Sequence, residues 1–175
     1  YKMTAEELEK AITPKTKLLI LNSPNNPTGA VYSREELSAI ADVVLSRDGI
    51  FVVSDEIYRD LVYDGEKHVS IASLGEEIKS RTIIIDGMSK SYAMTGWRTG
   101  WAIAPEKIAN AMTRAQSHMT SNVNSIAQYA SLEGLTNTVK SDEFIAGMRK
   151  TFDFRRLAAV KILEDRGVKF IMPKG

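Results

Sequence analysis

Three short apolar runs decide what this chain can fold into: Lys17-Leu18-Leu19-Ile20-Leu21, Ile50-Phe51-Val52-Val53 and Thr82-Ile83-Ile84-Ile85. Each is short, aliphatic and followed directly by a polar segment, which predicts buried strands rather than helices. The segments between the runs carry helical signals. Thr4-Ala5-Glu6-Glu7 is a capping-box pattern ahead of Leu8, Ala11 and Ile12, and Ser33-Arg34-Glu35-Glu36 is a second, ahead of Leu37, Ile40, Ala41 and Val44. Residues 63–80 read as loop. Strands alternating with crossovers imply an α/β fold, a mostly parallel sheet flanked by helices and joined by right-handed connections.

Further along, residues 99–104 predict another strand, closed by Pro105, and residues 106–116 a helix. Ser121-Asn122 is expected to cap a helix with Val123, Ile126, Ala127 and Ala130 inward, closing near Gly134. Phe144, Ile145, Met148, Phe152, Leu157, Val160 and Leu163 mark a long helix over residues 141–166, with Gly167 as its C-cap. Residues 168–172 read as a strand opening a different unit, and residues 136–140 as a hinge. The expected division is residues 1–137 in one domain and 138–175 in the connecting helix and the start of a second. The first residue is Tyr1 and the last are Met172-Pro173-Lys174-Gly175, so the expectation is an excerpt of a longer polypeptide, inactive by itself.

Composition closes off several function classes. With 43% hydrophobic and 26% charged residues among 175, there is ordinary globular content and enough apolar material for a core. Lys and Arg number 23 against 22 Asp and Glu, a net charge of +1 without a basic cluster interleaved with aromatics, so no nucleic acid partner is expected. The absence of cysteine removes disulfides and thiolate metal sites and is compatible with a reducing compartment; a cytoplasmic location is the expectation. His68 and His118 stand far apart without a ligand pattern, so neither a metal centre nor a Ser-His-Asp triad is expected, and both read as surface or packing residues. Met112 and Met119 read as core filler. No apolar stretch approaches the ~18 residues of a membrane helix, so no membrane partner is expected.

The chemistry lies in the polar tips. The first run leads into Asn22-Ser23-Pro24-Asn25-Asn26-Pro27-Thr28-Gly29, the second into Ser54-Asp55-Glu56-Ile57-Tyr58-Arg59-Asp60, the third into Asp86-Gly87-Met88-Ser89-Lys90-Ser91-Tyr92-Ala93-Met94-Thr95-Gly96-Trp97-Arg98. Each has an ordinary explanation, namely turn chemistry, a solvated acidic rim and a solvated lysine. Their common position at strand carboxyl ends is what predicts one shared pocket. A lysine partly walled off there loses stabilisation of its ammonium form and becomes available as a free amine. Arg98 keeps its charge, and Gly87, Ser89, Ser91, Ala93 and Gly96 allow something bulky to approach the backbone. An amine for a carbonyl and a rigid fork for a phosphate suit an aldehyde-bearing phosphorylated cofactor. For a pyridine aldehyde phosphate, Lys90 supplies the amine and Asp55 the anion against the ring nitrogen. Asn26 and Tyr58 supply donors to the phenolic oxygen, and Arg98 with Ser89 the phosphate contacts.

Asn25-Asn26-Pro27-Thr28-Gly29, Ser54-Asp55-Glu56-Ile57-Tyr58 and Ser89-Lys90-Ser91-Tyr92-Ala93-Met94-Thr95-Gly96-Trp97-Arg98, in this order and spacing, resemble the class I/II aminotransferases of PLP fold type I, in particular the bacterial-type aspartate aminotransferase subgroup. The resemblance covers nearly the whole chain and implies pyridoxal 5'-phosphate as cofactor. It makes Lys90 the lysine that joins the cofactor aldehyde, Asp55 the pyridine-nitrogen partner, Asn26 and Tyr58 the residues on the phenolic oxygen, and Arg98 the phosphate anchor. Lys90, Asp55 and Tyr58 are then the catalytic set. Ser89 is a candidate phosphate ligand, although many relatives place a serine three positions before the lysine, where this chain has Gly87. Thr99 also departs from the usual aliphatic residue. The resemblance further implies part of a large domain plus the start of a small one, amino-acid and 2-oxo-acid substrates, and a homodimer in which Thr120-Ser121-Asn122 reaches towards the neighbouring site. The implied activity moves an amino group from an amino acid, such as aspartate or an aromatic one, to a 2-oxo acid. A lyase of the same fold and a non-catalytic effector domain of a transcription regulator are the alternatives, and the Ala93 to Arg98 run favours the free enzyme.

Overall fold

The structure, a computed structural model, describes residues 1–175. Helix α1 (Ala5–Ala11) and helix α2 (Arg34–Leu45) both open on the expected capping boxes, Thr4 with Glu7 and Ser33 with Glu36, each satisfying backbone donors that a helix start leaves unpaired. Strands β1 (Leu18–Asn22), β2 (Phe51–Asp55) and β3 (Thr82–Gly87) run parallel in that order, and β4 (Gly100–Ile103) adds to β3 antiparallel. Where loop was expected between β2 and β3, the chain forms a 3₁₀ turn, Ile71–Leu74, and a one-turn helix, α3 (Glu76–Lys79). Ile71 and Ile78 drive this local order, because both are buried against the core.

Both crossovers between the parallel strands must be right-handed, and with neighbouring strands taken in sequence order they land on one side of the sheet. On that side Leu21 and Val52 pack with Leu8, Leu37, Ile40, Val44, Ile71 and Ile78 into the core. The register Leu18↔Phe51, Ile20↔Val53, Asn22↔Asp55, Val53↔Ile83 and Asp55↔Ile85 puts the alternate residues on the opposite side. No strand residue of that side enters this core, and Ile20 is left 69% exposed, so it is the more open face. Ser54 and Asp86 therefore belong to the covered face, and Asp55 to the open one.

Helices α4 (Glu106–Met119), α5 (Ser125–Thr136) and α6 (Thr138–Asp165) follow. The cap of α5 is Asn124, whose side chain accepts the Ala127 N–H (2.9 Å), rather than Ser121-Asn122; the chain is still non-helical at Ser121, where φ is +60°. Met112 and Met119 are exposed on α4, which buries none of its residues, so neither fills a core here. The bend between α5 and α6 is the single residue Asn137, and Gly167 (φ +64°) follows the end of α6 in the left-handed region. Residues 168–172, expected as a strand, form none. Instead the tail turns back, with the Lys174 and Gly175 N–H groups donating to the Gly29 carbonyl (2.7 and 3.1 Å) and Tyr63 N–H to the Lys174 carbonyl (2.8 Å). No helix is long and apolar enough to cross a membrane.

Candidate active site

The loop after β1 is rigid because its own amides hold it. Asn22 Oδ1 accepts from Asn25 Nδ2 (3.0 Å) and from the Asn26 N–H (3.1 Å), while Asn25 Oδ1 accepts from the Thr28 N–H (3.2 Å) and hydroxyl (2.7 Å). The peptide bonds Ser23–Pro24 and Asn26–Pro27 are cis. The result turns Asn26 toward the next loop, where its Nδ2 donates to the Tyr58 hydroxyl (3.0 Å).

The loop after β2 hangs on Glu56. This residue, for which a solvated rim was the ordinary explanation in the sequence, is 4% exposed. Its Oε1 accepts from the Ser54 hydroxyl (2.9 Å) and the Ser70 hydroxyl (2.6 Å), and Oε2 pairs with His68 Nε2 (2.9 Å). Burial works to raise the Glu56 carboxyl, but the hydrogen bonds from His68, Ser70 and Ser54 outweigh it and hold the group below the ordinary carboxylate value. His68 is thus a packing residue with a polar task, and its Nδ1 is buried without a partner. Asp55, half-buried on the open sheet face, accepts the Ile57 N–H at Oδ1 (3.2 Å).

The loop after β3 starts where two strands nearly touch. A Cβ on Gly87 would lie 2.8 Å from both Gly100 Cα and the Thr99 carbonyl oxygen, so only glycine fits. Beyond it the backbone turns tightly: Ala93 (φ +54°) and Arg98 (φ +55°) both adopt the left-handed conformation that non-glycine residues rarely tolerate. Such strain costs on the order of 1–3 kcal/mol per residue and concentrates at functional sites. Lys90 Nζ lies 5.1 Å from the centroid of the Tyr58 ring. The Arg98 guanidinium donates through Nη1 to the Thr95 carbonyl (3.0 Å) and is exposed.

The three loops meet around a cavity of about 510 Å³ whose lining includes Asn25, Asn26, Tyr58, Ser89, Lys90 and Thr95. Four of the residues singled out in the sequence, Asn26, Tyr58, Ser89 and Lys90, are thereby brought together; Asp55 and Arg98 are not part of the lining. The outer wall comes from segments the sequence did not mark: Leu61 and Tyr63, Met148 and Phe152 of α6, and Pro173 and Gly175 of the tail. Arg156 binds those segments to one another. It is 8% exposed, forms a two-pronged pair with Asp64 (2.9 and 2.6 Å), bonds to Asp153 (2.8 Å) and the Pro173 carbonyl (2.9 Å), and lies 4.9 Å from the Tyr63 ring centroid. Its helix neighbour Asp153 is an ordinary local partner, and nothing local in the sequence points to the pairing with Asp64, 92 residues away. A somewhat larger cavity, about 610 Å³ between the 3₁₀ turn and β4, gathers no comparable set of reactive groups.

These features are those of an α/β protein with a lysine in a cavity at the carboxyl end of a parallel sheet. The chain belongs to the family described as aminotransferase class I and II, which it matches over residues 1–175. It is 47% identical to the aspartate aminotransferase of Geobacillus stearothermophilus over 100% of this chain and 44% of that protein. It is 41% identical to aromatic-amino-acid aminotransferase 2 of Thermococcus litoralis, again over 100% of this chain and 44% of the relative. Among solved structures, the aspartate aminotransferase from Thermus thermophilus with maleate superposes with a TM-score of 0.93 at 41% identity, covering 98% of this chain and 44% of that one. The aromatic aminotransferase from Pyrococcus horikoshii gives 0.95 at 40% identity, covering 100% and 46%. The chain thus spans about 44% of the length of the curated relatives it matches.

The cofactor of this family is pyridoxal phosphate, and the residues present fit it. The cavity falls within the roughly 300–1,000 Å³ of small-ligand sites. Its donors are an amine, an amide, a phenol and a hydroxyl, which match an aldehyde, an anionic ring oxygen and a phosphate.

Proposed function

We propose that this chain supplies the cofactor-facing half of a pyridoxal-phosphate-dependent aminotransferase that moves an amino group from an amino acid to a 2-oxo acid. The observation that carries the proposal is the meeting of Lys90, Tyr58 and Asn26 across one cavity, with Lys90 Nζ 5.1 Å from the Tyr58 ring and Asn26 bonded to the Tyr58 hydroxyl at 3.0 Å. When bound, the cofactor supplies an electron sink for the bond broken at the substrate's α-carbon. Lys90 would hold the cofactor at its aldehyde; displaced from it by the substrate's amine, the freed Nζ would take up the α-proton and return it to the aldehyde carbon. Asp55 would hold the proton on the ring nitrogen. Asn26 and Tyr58 would donate to the phenolic oxygen and keep it anionic, while Arg98 and Ser89 would hold the phosphate.

Aspartate and an aromatic amino acid are the proposed donors, after the names of the relatives at 47% and 41% identity. The relatives reported above are all named aminotransferases, which favours transamination over a lyase or a regulator domain. We further propose that residues 1–137 belong to the cofactor-binding domain and that α6 leads into the second, in a cytoplasmic homodimer.

The test is a visible absorption spectrum of the full-length protein with pyridoxal phosphate, before and after adding a panel of amino acids. A band that wild type shows, that aspartate or an aromatic amino acid shifts, and that Lys90→Ala lacks, supports the proposal. Retained transamination in Lys90→Ala refutes it.

A further inference from the structure

Arg59 and Asp86 take no part in the function proposed above, yet they join the two loops that carry it. Asp86 sits next to the end of β3 on the covered face and is 4% exposed. Its Oδ2 lies 3.1 Å from Arg59 Nη1, and its Oδ1 accepts the Gly87 N–H (2.7 Å). Arg59 directly follows Tyr58; its N–H donates to the Glu56 carbonyl (2.8 Å), and its Nε lies 3.5 Å from Asp60 Oδ2. Glu56 is in turn fixed by Ser54, Ser70 and His68. The last backbone link between the two segments is the Glu56 N–H on the Ile85 carbonyl (2.9 Å). Beyond it, toward Tyr58 on one side and Lys90 on the other, no backbone hydrogen bond joins them.

The arrangement makes little sense as a device for stability. Arg59 is 41% exposed, so the pair is partly screened, and such pairs contribute little. Burial meanwhile pushes the Asp86 carboxyl above its ordinary value despite the Gly87 N–H and Arg59. A carboxylate kept under a sheet at a cost is better explained by the placement it enforces, and what it places is on the page. In the same two segments, Lys90 Nζ lies 5.1 Å from the Tyr58 ring centroid and the Tyr58 hydroxyl meets Asn26.

We propose that the Arg59–Asp86 pair is a brace that sets Tyr58 against Lys90, so that both are positioning residues for the lysine and its phenolic neighbour. The proposal rests on the reading of Lys90 and Tyr58 as cofactor-facing residues. The charged groups around the brace are Asp60 and Glu56 on the Tyr58 loop and none on β3 other than Asp86 itself.

The experiment is a pH titration of the visible absorbance of the full-length, pyridoxal-phosphate-loaded protein and its Arg59→Gln, Asp86→Asn and double variants. Freeing the loop withdraws the Tyr58 hydroxyl from an anionic oxygen and so favours the protonated chromophore. Each single variant is expected to raise the midpoint by about half a pH unit or more, a roughly threefold change in the equilibrium. The double variant is expected to go no further than the larger single one, since the brace is already cut. Arg59→Lys, which keeps the charge, should stay nearer to wild type than Arg59→Gln.

A field effect without a brace predicts something else: Asp86→Asn lowers the midpoint, Arg59→Gln raises it, and the two cancel in the double variant. That pattern, or unmoved midpoints, overturns the proposal. Should Asp86→Asn fail to fold, an unshifted Arg59→Gln midpoint still refutes the brace, and so does a shift that added salt abolishes, because salt screens a field effect but does not restore a lost brace. A wild-type protein that shows no visible band refutes the parent reading instead, so the two failures are distinct.

Discussion

Replacing Glu56 with alanine should be among the most damaging single changes available beside the site. The side chain is 5% exposed, and its removal leaves two buried hydroxyls, those of Ser54 and Ser70, and the His68 Nε2 without their acceptor. A buried donor left unpaired costs about 1–3 kcal/mol, and breaking a buried charged pair about 3–5 kcal/mol. Hydroxyls can rotate to other partners, so about 3–5 kcal/mol is expected for Glu56→Ala. Glu56→Gln keeps an acceptor for the serines and should lose about 1–2 kcal/mol.

The pH dependence has a definite sign. The folded Glu56 carboxyl lies below its ordinary value of 4.5, so its contribution is present above that pH and lost as pH falls through the lower, folded value. Urea denaturation of full-length wild type and Glu56→Ala at pH 7 and at steps below 4.5 measures both effects. The gap between the two proteins should narrow in acid. A gap under about 1 kcal/mol at pH 7, or one that stays constant into acid, would show that the carboxylate is not holding this loop.

Other perturbations test other joints. Gly29→Ala places a Cβ 2.9 Å from Pro173 Cα and 3.0 Å from the Gly175 oxygen at φ +65°, so a loss of about 2 kcal/mol or more and faster proteolysis of the tail are expected. Gly87→Ala must push β4 off β3 and should cost about 1–3 kcal/mol in chemical denaturation. Arg156→Gln strands Asp64 and loosens the outer wall of the cavity; it should lower the melting temperature and raise KM more than it lowers kcat, and equal changes in both would argue against a wall function. Asp55→Asn in the full-length enzyme should lower kcat by at least about a hundredfold, roughly 2.7 kcal/mol of barrier, and a wild-type rate would remove Asp55 from the proposed mechanism.

What local sequence settled is what local physics settles. The two capping boxes fixed where α1 and α2 begin, because a hydroxyl and a carboxylate three residues apart need no distant partner. The three aliphatic runs became parallel strands for the same kind of reason, and Asn26, Tyr58, Ser89 and Lys90 could be found as the residues just past their ends. Residues 168–172 show the opposite case: a strand-like run is a strand only where its backbone pairs with another, and here the tail just beyond it bonds to Gly29 and Tyr63 instead. Face and partner were also beyond the sequence. Asp55 and Glu56 are adjacent acids, yet the two-residue period of a strand sends one to the open face of the sheet, and Glu56, just past the strand end, is buried against His68 and Ser70. Arg156 with Asp64, and Arg59 with Asp86, are pairs that only the folded chain could make, since long-range ion pairing depends on where a backbone returns and leaves no periodic trace in the letters.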